Sequence, residues 1–237
     1  MLRDQTPIQA DCTIRPGGFV ITDRAIQFCG FMRQARIADI GCGLGATVRH
    51  LSEQYGLSAV GLDKDSTLLK EAGYRTGWNE RLCCGDALRL PFDNCSFDGL
   101  IYECSFSTME PPGVALSECR RVLKPGGYWI CSDLYARREA FSPSQPGMTG
   151  RFDTQQMIVE RAEKNGFSVC VFEDYSPELH KMFGQMILDG RVDSFEQVLG
   201  VNRELLRTIS CGYYLMIALN DGSDTMQVES DADAKTP

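Results

Sequence analysis

Four stretches of this sequence combine residue types able to hold a ligand. The first is Asp39-Ile40-Gly41-Cys42-Gly43-Leu44-Gly45-Ala46. Its glycines let the backbone turn tightly and approach a ligand with no Cβ in the way. A helix opening directly after them presents free N–H groups and the positive end of its dipole. Gly41, Gly43 and Ala46 also satisfy the dinucleotide pattern G-x-G-x-x-G/A, so the loop alone names no ligand. The second is Asp63, 22 residues after Gly41. A carboxylate there can accept both hydroxyls of a ribose, in NAD and in any adenosyl ligand alike. The third is Gly85-Asp86-Ala87, followed by Leu90-Pro91-Phe92 and Phe97-Asp98. A carboxylate at that edge can accept from an adenine amino group. The fourth is Arg121-Val122-Leu123-Lys124-Pro125-Gly126-Gly127, which reads as a helix stop leading into a strand.

These stretches are punctuation between regular elements. Apolar period and turn residues predict strands over 36–40, 58–62, 81–84, 97–102 and 128–132. Between them lie helices over 46–55, over a segment capped by Asp65 or Ser66 and carrying Leu68, Leu69 and Ala72, and over 112–123. Strands alternating with helices give βαβ units, right-handed crossovers and a parallel sheet covered on both faces. After a loop at 142–150, Asp153 or Thr154 caps a helix that ends at Asn165-Gly166. A sixth strand follows at 168–173, then a helix opened by Ser176-Pro177 that runs to Leu188, a helix over 194–207, and a strongly apolar seventh strand at 211–219. A helix at 22–32 precedes the sheet. The expected organisation is an N-terminal cap or lid at 1–33, one domain at 34–220 with a helical inset at about 175–209, and an acidic, disordered tail at 221–237.

With its four stretches in this register, the chain resembles class I S-adenosylmethionine-dependent methyltransferases. The resemblance runs from about Ile37 to Leu134, and the order of elements continues to Leu219. It implies a Rossmann-like, doubly wound α/β fold. The sheet has seven strands, mostly parallel with the last antiparallel, and ligands lie at the carboxyl ends of the strands. It also implies donor roles by position. Gly41 and Gly43 pass the methionine part, with Cys42 contributing backbone. Asp63 holds the ribose, Lys64 flanks the adenine, and Asp86 meets the adenine amino group with Ala87 beside it. Asp39 orients the loop or the donor's amino group. The implied cofactor is S-adenosylmethionine, and the implied product is S-adenosylhomocysteine.

In this architecture the residues after strands four and five face the methyl group: Glu103-Cys104-Ser105 and Asp133-Leu134-Tyr135. Glu103, which also borders the donor, Cys104, Asp133 and Tyr135 are therefore the candidate catalytic residues. A base is needed only where the acceptor keeps its proton at neutral pH. The strings Gly85-Asp86-Ala87 and Leu123-Lys124-Pro125-Gly126-Gly127 are similar to those of quinone-biosynthesis methyltransferases, whereas Ser132-Asp133-Leu134-Tyr135-Ala136 looks more like arsenite methyltransferases. Cys104 falls where the latter carry an arsenic-binding cysteine. A second such cysteine would follow Gly166-Phe167, where this chain has Ser168, with Cys170 two residues on. The cysteine those enzymes place early in the first sheet helix is absent from Ala46-Thr47-Val48. Cys104 is read equally as a small buried hydrophobe. Cys83, Cys119, Cys131 and Cys211 read as core, His50 as surface, and His180 as an exposed helix residue that could serve as a base. Arg15-Pro16-Gly17-Gly18-Phe19 is compatible with a lid over the donor and with a plain turn.

Composition bounds the rest. The 237 residues carry a net charge of −8, half of it in the tail, where five acids face Lys235 alone. No basic stripe is present, which disfavours nucleic acid as substrate or partner. The apolar run 213–219 is far short of the ~20 residues that span a membrane, and the first residues lack the apolar stretch of a signal peptide. Eleven scattered cysteines with no Cys-x-x-Cys and only two histidines fit reduced thiols in a cytoplasm, with no metal site. The expected partner is a small-molecule methyl acceptor, bound by a monomer or homodimer. An NAD-dependent oxidoreductase or a non-catalytic module that binds an adenosyl ligand are the alternatives.

Overall fold

The computed structural model describes residues 15–138, 151–190 and 203–222. The predicted loop at 142–150, residues 194–202 of the predicted helix, most of the tail and the first fourteen residues lie outside them. Helix α1 (Val20–Cys29) precedes β1 (Arg36–Ile40), α2 (Ala46–Tyr55), β2 (Ser58–Asp63), α3 (Ser66–Thr76) and β3 (Leu82–Cys84). Then come β4 (Phe97–Glu103), α4 (Pro112–Val122), β5 (Leu123–Ala136), α5 (Gln155–Lys164), β6 (Phe167–Asp174), α6 (Ser176–Leu188), α7 (Arg203–Thr208) and β7 (Cys211–Asn220). Strand order is β3-β2-β1-β4-β5-β7-β6. Neighbours from β3 to β5 are parallel, and β7 is antiparallel to both β5 and β6. This is the seven-stranded sheet the sequence predicts, with its last strand reversed.

The central strands are buried on both faces, as a covered parallel sheet requires. One face packs Leu100, Tyr102, Trp129 and Cys131 against Leu116 and Cys119 of α4 and Ile158 and Ala162 of α5. The other packs Ile37, Ile101, Ile130 and Ile217 against Ile21 and Ala25 of α1, Val48 and Leu51 of α2, and Leu179 of α6. Strand order reverses between β1 and β4, and a ligand crevice forms at such a switch, outside the carboxyl ends of the strands.

Three local readings are corrected. The helix stop at Lys124-Pro125-Gly126-Gly127 is no turn between elements: α4 ends at Val122 and β5 begins at Leu123, paired with Phe97. Gly126 takes its positive φ of 78° inside the strand, which absorbs the bend that the glycines signal. Second, β5 runs to Ala136 rather than Ser132, because β7 continues to pair with it through Ala136↔Cys211. Third, the residue capping α6 is Tyr175, not Ser176. The Ser176 hydroxyl instead joins the Asp174 carboxylate and accepts from the Tyr213 N–H at 3.2 Å. Asp65 does cap α3, accepting from the N–H groups of Thr67 and Leu68.

Candidate functional site

The glycine loop is stitched to the neighbouring strand. The N–H groups of Gly41 and Cys42 both donate to the Leu62 carbonyl, at 2.7 and 3.0 Å, and Gly45 N–H donates to Cys42 O at 2.8 Å. Gly41 has φ +83°, and a Cβ there would lie 2.6 Å from Ser105 Cβ, so the chain passes β4's following loop with no room for a side chain. A Cβ on Gly43 would meet nothing within 4 Å, so open space lies above the loop. Gly45, left-handed at φ 72°, caps α2 without a side chain, so the first-turn N–H groups receive no side-chain cap.

Asp63 ends β2 beside this loop. One of its oxygens accepts from Gly43 N–H and the other from Asp65 N–H, both at 2.9 Å. A carboxylate has about four acceptor positions, so two stay open. Lys64 is exposed next to it. At the next strand end, the exposed Asp86 accepts from Leu88 N–H at 2.9 Å with one oxygen, leaving its other oxygen open, while Ala87 packs against the core.

Glu103 closes the edge at the end of β4, and its partners come from far along the chain. It pairs with Arg15 and accepts from the hydroxyls of Thr22 in α1 and Thr47 in α2, each at 2.7 Å. Arg15 also reaches Thr47 Oγ1 at 2.7 Å, Thr22 Oγ1 at 3.0 Å and the Gly18 carbonyl at 3.0 Å. Phe19 stacks on His50 at 3.9 Å, and His50 Nε2 lies 2.6 Å from Asp23 Oδ1. His50 is therefore tucked beneath the segment 15–19 rather than standing on the surface. Thr22 and Thr47 carry no sequence signal for this role, because threonines near helix starts ordinarily serve the helix.

Asp39 is 3% exposed in the middle of this arrangement. Burial and the carboxylates of Glu103 and Asp63 push its pKa well above the usual carboxylate range, against the opposing pull of Arg15. A carboxyl whose pKa is raised on folding binds more protons folded than unfolded, so its ionisation costs stability as pH rises. Asp39→Asn removes that cost. Its melting temperature at pH 7 should exceed the parent's by a few degrees, about 2–4 °C per kcal/mol, and the gain should vanish towards pH 4. A calorimetric melting series from pH 4 to 8 reads this out, and a variant less stable than the parent at pH 7 refutes it.

Two candidate catalytic residues are placed inside β5 rather than beyond it. Asp133 is buried and accepts from Ser107 N–H at 2.9 Å, Ser107 Oγ at 3.2 Å and Leu134 N–H at 2.8 Å. Burial raises its pKa. Tyr135 is buried in the core, edge-on to Phe172 and Tyr214 at 5.7 Å each.

Cys104 follows β4 with a left-handed backbone, φ +53°. The residue as a whole is exposed, yet its Sγ lies 3.0 Å from the Tyr213 hydroxyl, which itself donates to Ser132 O at 3.3 Å. Protein packed around the thiol, with the Asp133 carboxyl nearby, pushes its pKa up to about 12. Tyr213, which sequence reasoning leaves among the core, thus orients Cys104. Cys170 lies in the β6 bulge near Cys29, so the structure does not bring it to Cys104. Cys119 and Cys131 are core as read from sequence, whereas Cys83 and Cys211 are partly exposed. His180 is exposed.

The carboxyl ends of β1, β2 and β4 therefore bring together Asp39, the glycine loop, Asp63 and Glu103, with Asp86 and Ala87 after β3 and Tyr135 within β5. Residues 38–131 match a family model described as a methyltransferase domain. The demethylmenaquinone methyltransferase of Staphylococcus aureus is 32% identical over 112 residues, covering 46% of each chain. The chain spans about half the length of the curated relatives it matches. Among solved structures, the [4+2]-cyclase SpnF matches with a TM-score of 0.70 at 21% identity over 88% of each chain. Phosphoethanolamine N-methyltransferase 2 of Haemonchus contortus, in complex with S-adenosyl-L-methionine, matches with a TM-score of 0.71 at 21% identity. That match covers 87% of this chain and 54% of the other. At these identities the likeness is one of fold, the seven-stranded Rossmann-like α/β arrangement described above.

Proposed function

We propose that this chain is an S-adenosylmethionine-dependent methyltransferase acting on a small-molecule acceptor and releasing S-adenosylhomocysteine. The observation that carries the reading is the glycine loop pinned to β2, open above Gly43 and flanked by the Asp63 carboxylate, within the segment matched to a methyltransferase domain. The residues fit the donor. Asp63 keeps acceptor capacity for ribose hydroxyls, and Asp86 has an oxygen for an adenine amino group, with Ala87 and Lys64 at its sides. Gly41, Cys42 and Gly43 offer backbone. Asp63 and Glu103 outnumber Arg15, which suits a cationic ligand.

When bound, the donor supplies a methyl group on a positively charged sulfur, and transfer is an in-line displacement whose rate depends mostly on positioning. The chain's own groups serve that need better than proton transfer. Glu103 is engaged by three donors, Asp133 holds the backbone after β4, and Tyr135 lies in the core. A small acceptor is supported by the lack of a basic stripe and by the small-molecule acceptors in the names of its methyltransferase neighbours. Calorimetric titration with S-adenosylmethionine and S-adenosylhomocysteine tests the reading. Binding of NADH with no affinity for either adenosyl ligand would favour an oxidoreductase instead.

A metalloid or other soft acceptor held on Cys104 is the finer alternative. With a pKa of about 12, only a fraction on the order of 10⁻⁴ of Cys104 is thiolate at pH 8. Iodoacetamide at pH 8, read by peptide mass spectrometry, should label exposed Cys95 while leaving Cys104 largely free. Cys104→Ser should keep donor binding and turnover. Rapid labelling of Cys104, with turnover lost in the serine variant, would instead support the soft acceptor.

A further inference from the structure

The donor reading uses the carboxyl ends of the strands. At their opposite ends lies a cavity of about 270 Å³ to which that reading gives no task. It sits where α1 ends and where β1, β4 and β5 begin. Phe31, Met32, Pro125 and Tyr128 supply apolar walls, and Asp98 and Lys124 are the charged residues that line it among the described residues. Glycines shape these walls. A Cβ on Gly99 would lie 2.6 Å from the tip of the Phe31 ring, so glycine in β4 lets that ring pack down against the strand. Phe31 meets Tyr128 edge-on at 6.0 Å, and Phe28 braces the same tyrosine at 6.4 Å. A Cβ on Gly126, inside β5, would meet nothing within 4 Å, so the cavity stays open there. The polar end is unevenly served. Asp98 accepts from Lys124 Nζ at 2.7 Å and from Arg36 N–H at 2.8 Å, one donor on each oxygen. The Lys124 ammonium has three protons and, among the described residues, gives one of them to protein. Arg36, whose guanidinium stands over the Phe97 ring at 4.8 Å, brings a second cation to the neighbourhood of Asp98.

We propose that this cavity binds a small aromatic carboxylate, its ring against Phe31, Pro125 and Tyr128 and its carboxylate on the Lys124 ammonium. An anion is favoured over a cation because Asp98 is already held by two donors, while Lys124 and Arg36 together outnumber it. A ring is favoured over an aliphatic chain because aromatic pairs gain energy beyond the area they bury. The volume lies just under the ~300 Å³ at which pockets for drug-sized ligands begin, so it takes one ring with a short substituent. Met32, 81% exposed, is an adaptable rim. The Lys124 and Asp98 side chains are 43% and 31% exposed, so the ammonium exchanges water for the ligand without breaking a buried pair. The ligand is a second one and not the methyl acceptor. Asp98 stands near the start of β4 and Glu103 at its end, which separates the two sites by about 17 Å of strand. The cavity shares no lining residue with the glycine loop, Asp63, Asp86 or Glu103, so the proposal does not rest on the donor reading.

The probe is 4-fluorobenzoate, titrated into the full chain and followed by fluorine NMR, with 4-fluorobenzyl alcohol as its uncharged counterpart. The parent should bind the acid with a Kd on the order of 1 mM. Lys124→Met keeps the apolar stem and removes the charge. It should weaken the acid about tenfold or more while moving the alcohol by less than about twofold. Because the ion pair is partly exposed, the melting temperature of this variant should stay close to the parent's. Lys124→Arg should restore binding of the acid. Met32→Glu, which sets a carboxylate at the exposed rim, should weaken the acid and spare the alcohol. Saturating S-adenosylhomocysteine should leave the Kd of the acid unchanged. No binding of 4-fluorobenzoate by the parent, or parent-like binding by Lys124→Met, overturns the assignment and leaves the donor reading untouched. Displacement of the acid by S-adenosylhomocysteine would put the probe at the donor edge and overturns the assignment equally.

Discussion

Gly41→Ala will weaken donor-site binding by ~100-fold or more in a chain that still folds. The new Cβ would lie 2.6 Å from Ser105 Cβ, an atom fixed to the backbone that cannot rotate away. The position also has φ +83°, where an L side chain is strained. Left-handed strain of about 1–2 kcal/mol and overpacking of about 1–3 kcal/mol together give about 2–5 kcal/mol. The cheapest relief is to lift the loop from Leu62, where two N–H groups converge on one carbonyl. The S-adenosylhomocysteine affinity should therefore fall by ~100-fold or more, with the melting temperature lowered by several degrees. Gly113→Ala provides the contrast. Gly113 lies in α4 with nothing within 4 Å of a Cβ, so the substitution should be neutral or stabilising by up to about 1 kcal/mol. Parent-like affinity in Gly41→Ala would mean that the loop is not the binding element.

Asp133→Ala should act on stability rather than on the chemical step. It strips three hydrogen bonds from Ser107 N–H, Ser107 Oγ and Leu134 N–H, leaving half-buried donors without this partner. Each such loss costs about 1–3 kcal/mol for a fully buried donor, and these are half-buried, so a total at the low end, about 3–5 kcal/mol, is expected from urea unfolding. Asp133→Asn, which keeps one acceptor oxygen, should fall between the two. Turnover per folded molecule should change by no more than a few-fold. A general base would give the opposite result, a drop of about 10²–10⁴ in turnover at unchanged stability.

The contrast between these positions shows what could be read from sequence. The donor loop was legible because its determinants are local. Gly41 and Gly45 take left-handed backbone, a demand made within the loop itself, and Asp63 follows at the distance a βαβ unit imposes. Asp133 and Tyr135 were expected past a strand end because Tyr128-Trp129-Ile130-Cys131 carries the apolar signal and the polar residues after it read as loop. What extends β5 to Ala136 is its pairing with β7, some eighty residues later, and no local pattern reports that. Likewise Pro125-Gly126-Gly127 has the chemistry of a turn, yet it lies inside β5 as a bulge, since the ladder with β4 pairs Phe97 with Leu123 and resumes at Gly99 with Tyr128. Arg15 and Glu103 are 88 residues apart. Each is unremarkable in its own neighbourhood, and only the packing of α1 and α2 on the sheet brings them together.

The position of β7 between β5 and β6 has a further consequence for how the chain is made. β6 is an edge strand, and among the described residues it pairs in the sheet with β7 alone, which is synthesised after it. As the chain emerges, strands β1 to β5 can assemble in order, but β6 has no ladder to join. The open side of β5 stays unpaired until the last strand slides in between. Until then, a buried-type strand carrying Trp129, Ile130 and Cys131 presents its backbone to any other extended chain. The interval between translation of β5 and arrival of β7 is thus the window in which nascent chains of this protein are most exposed to mispairing.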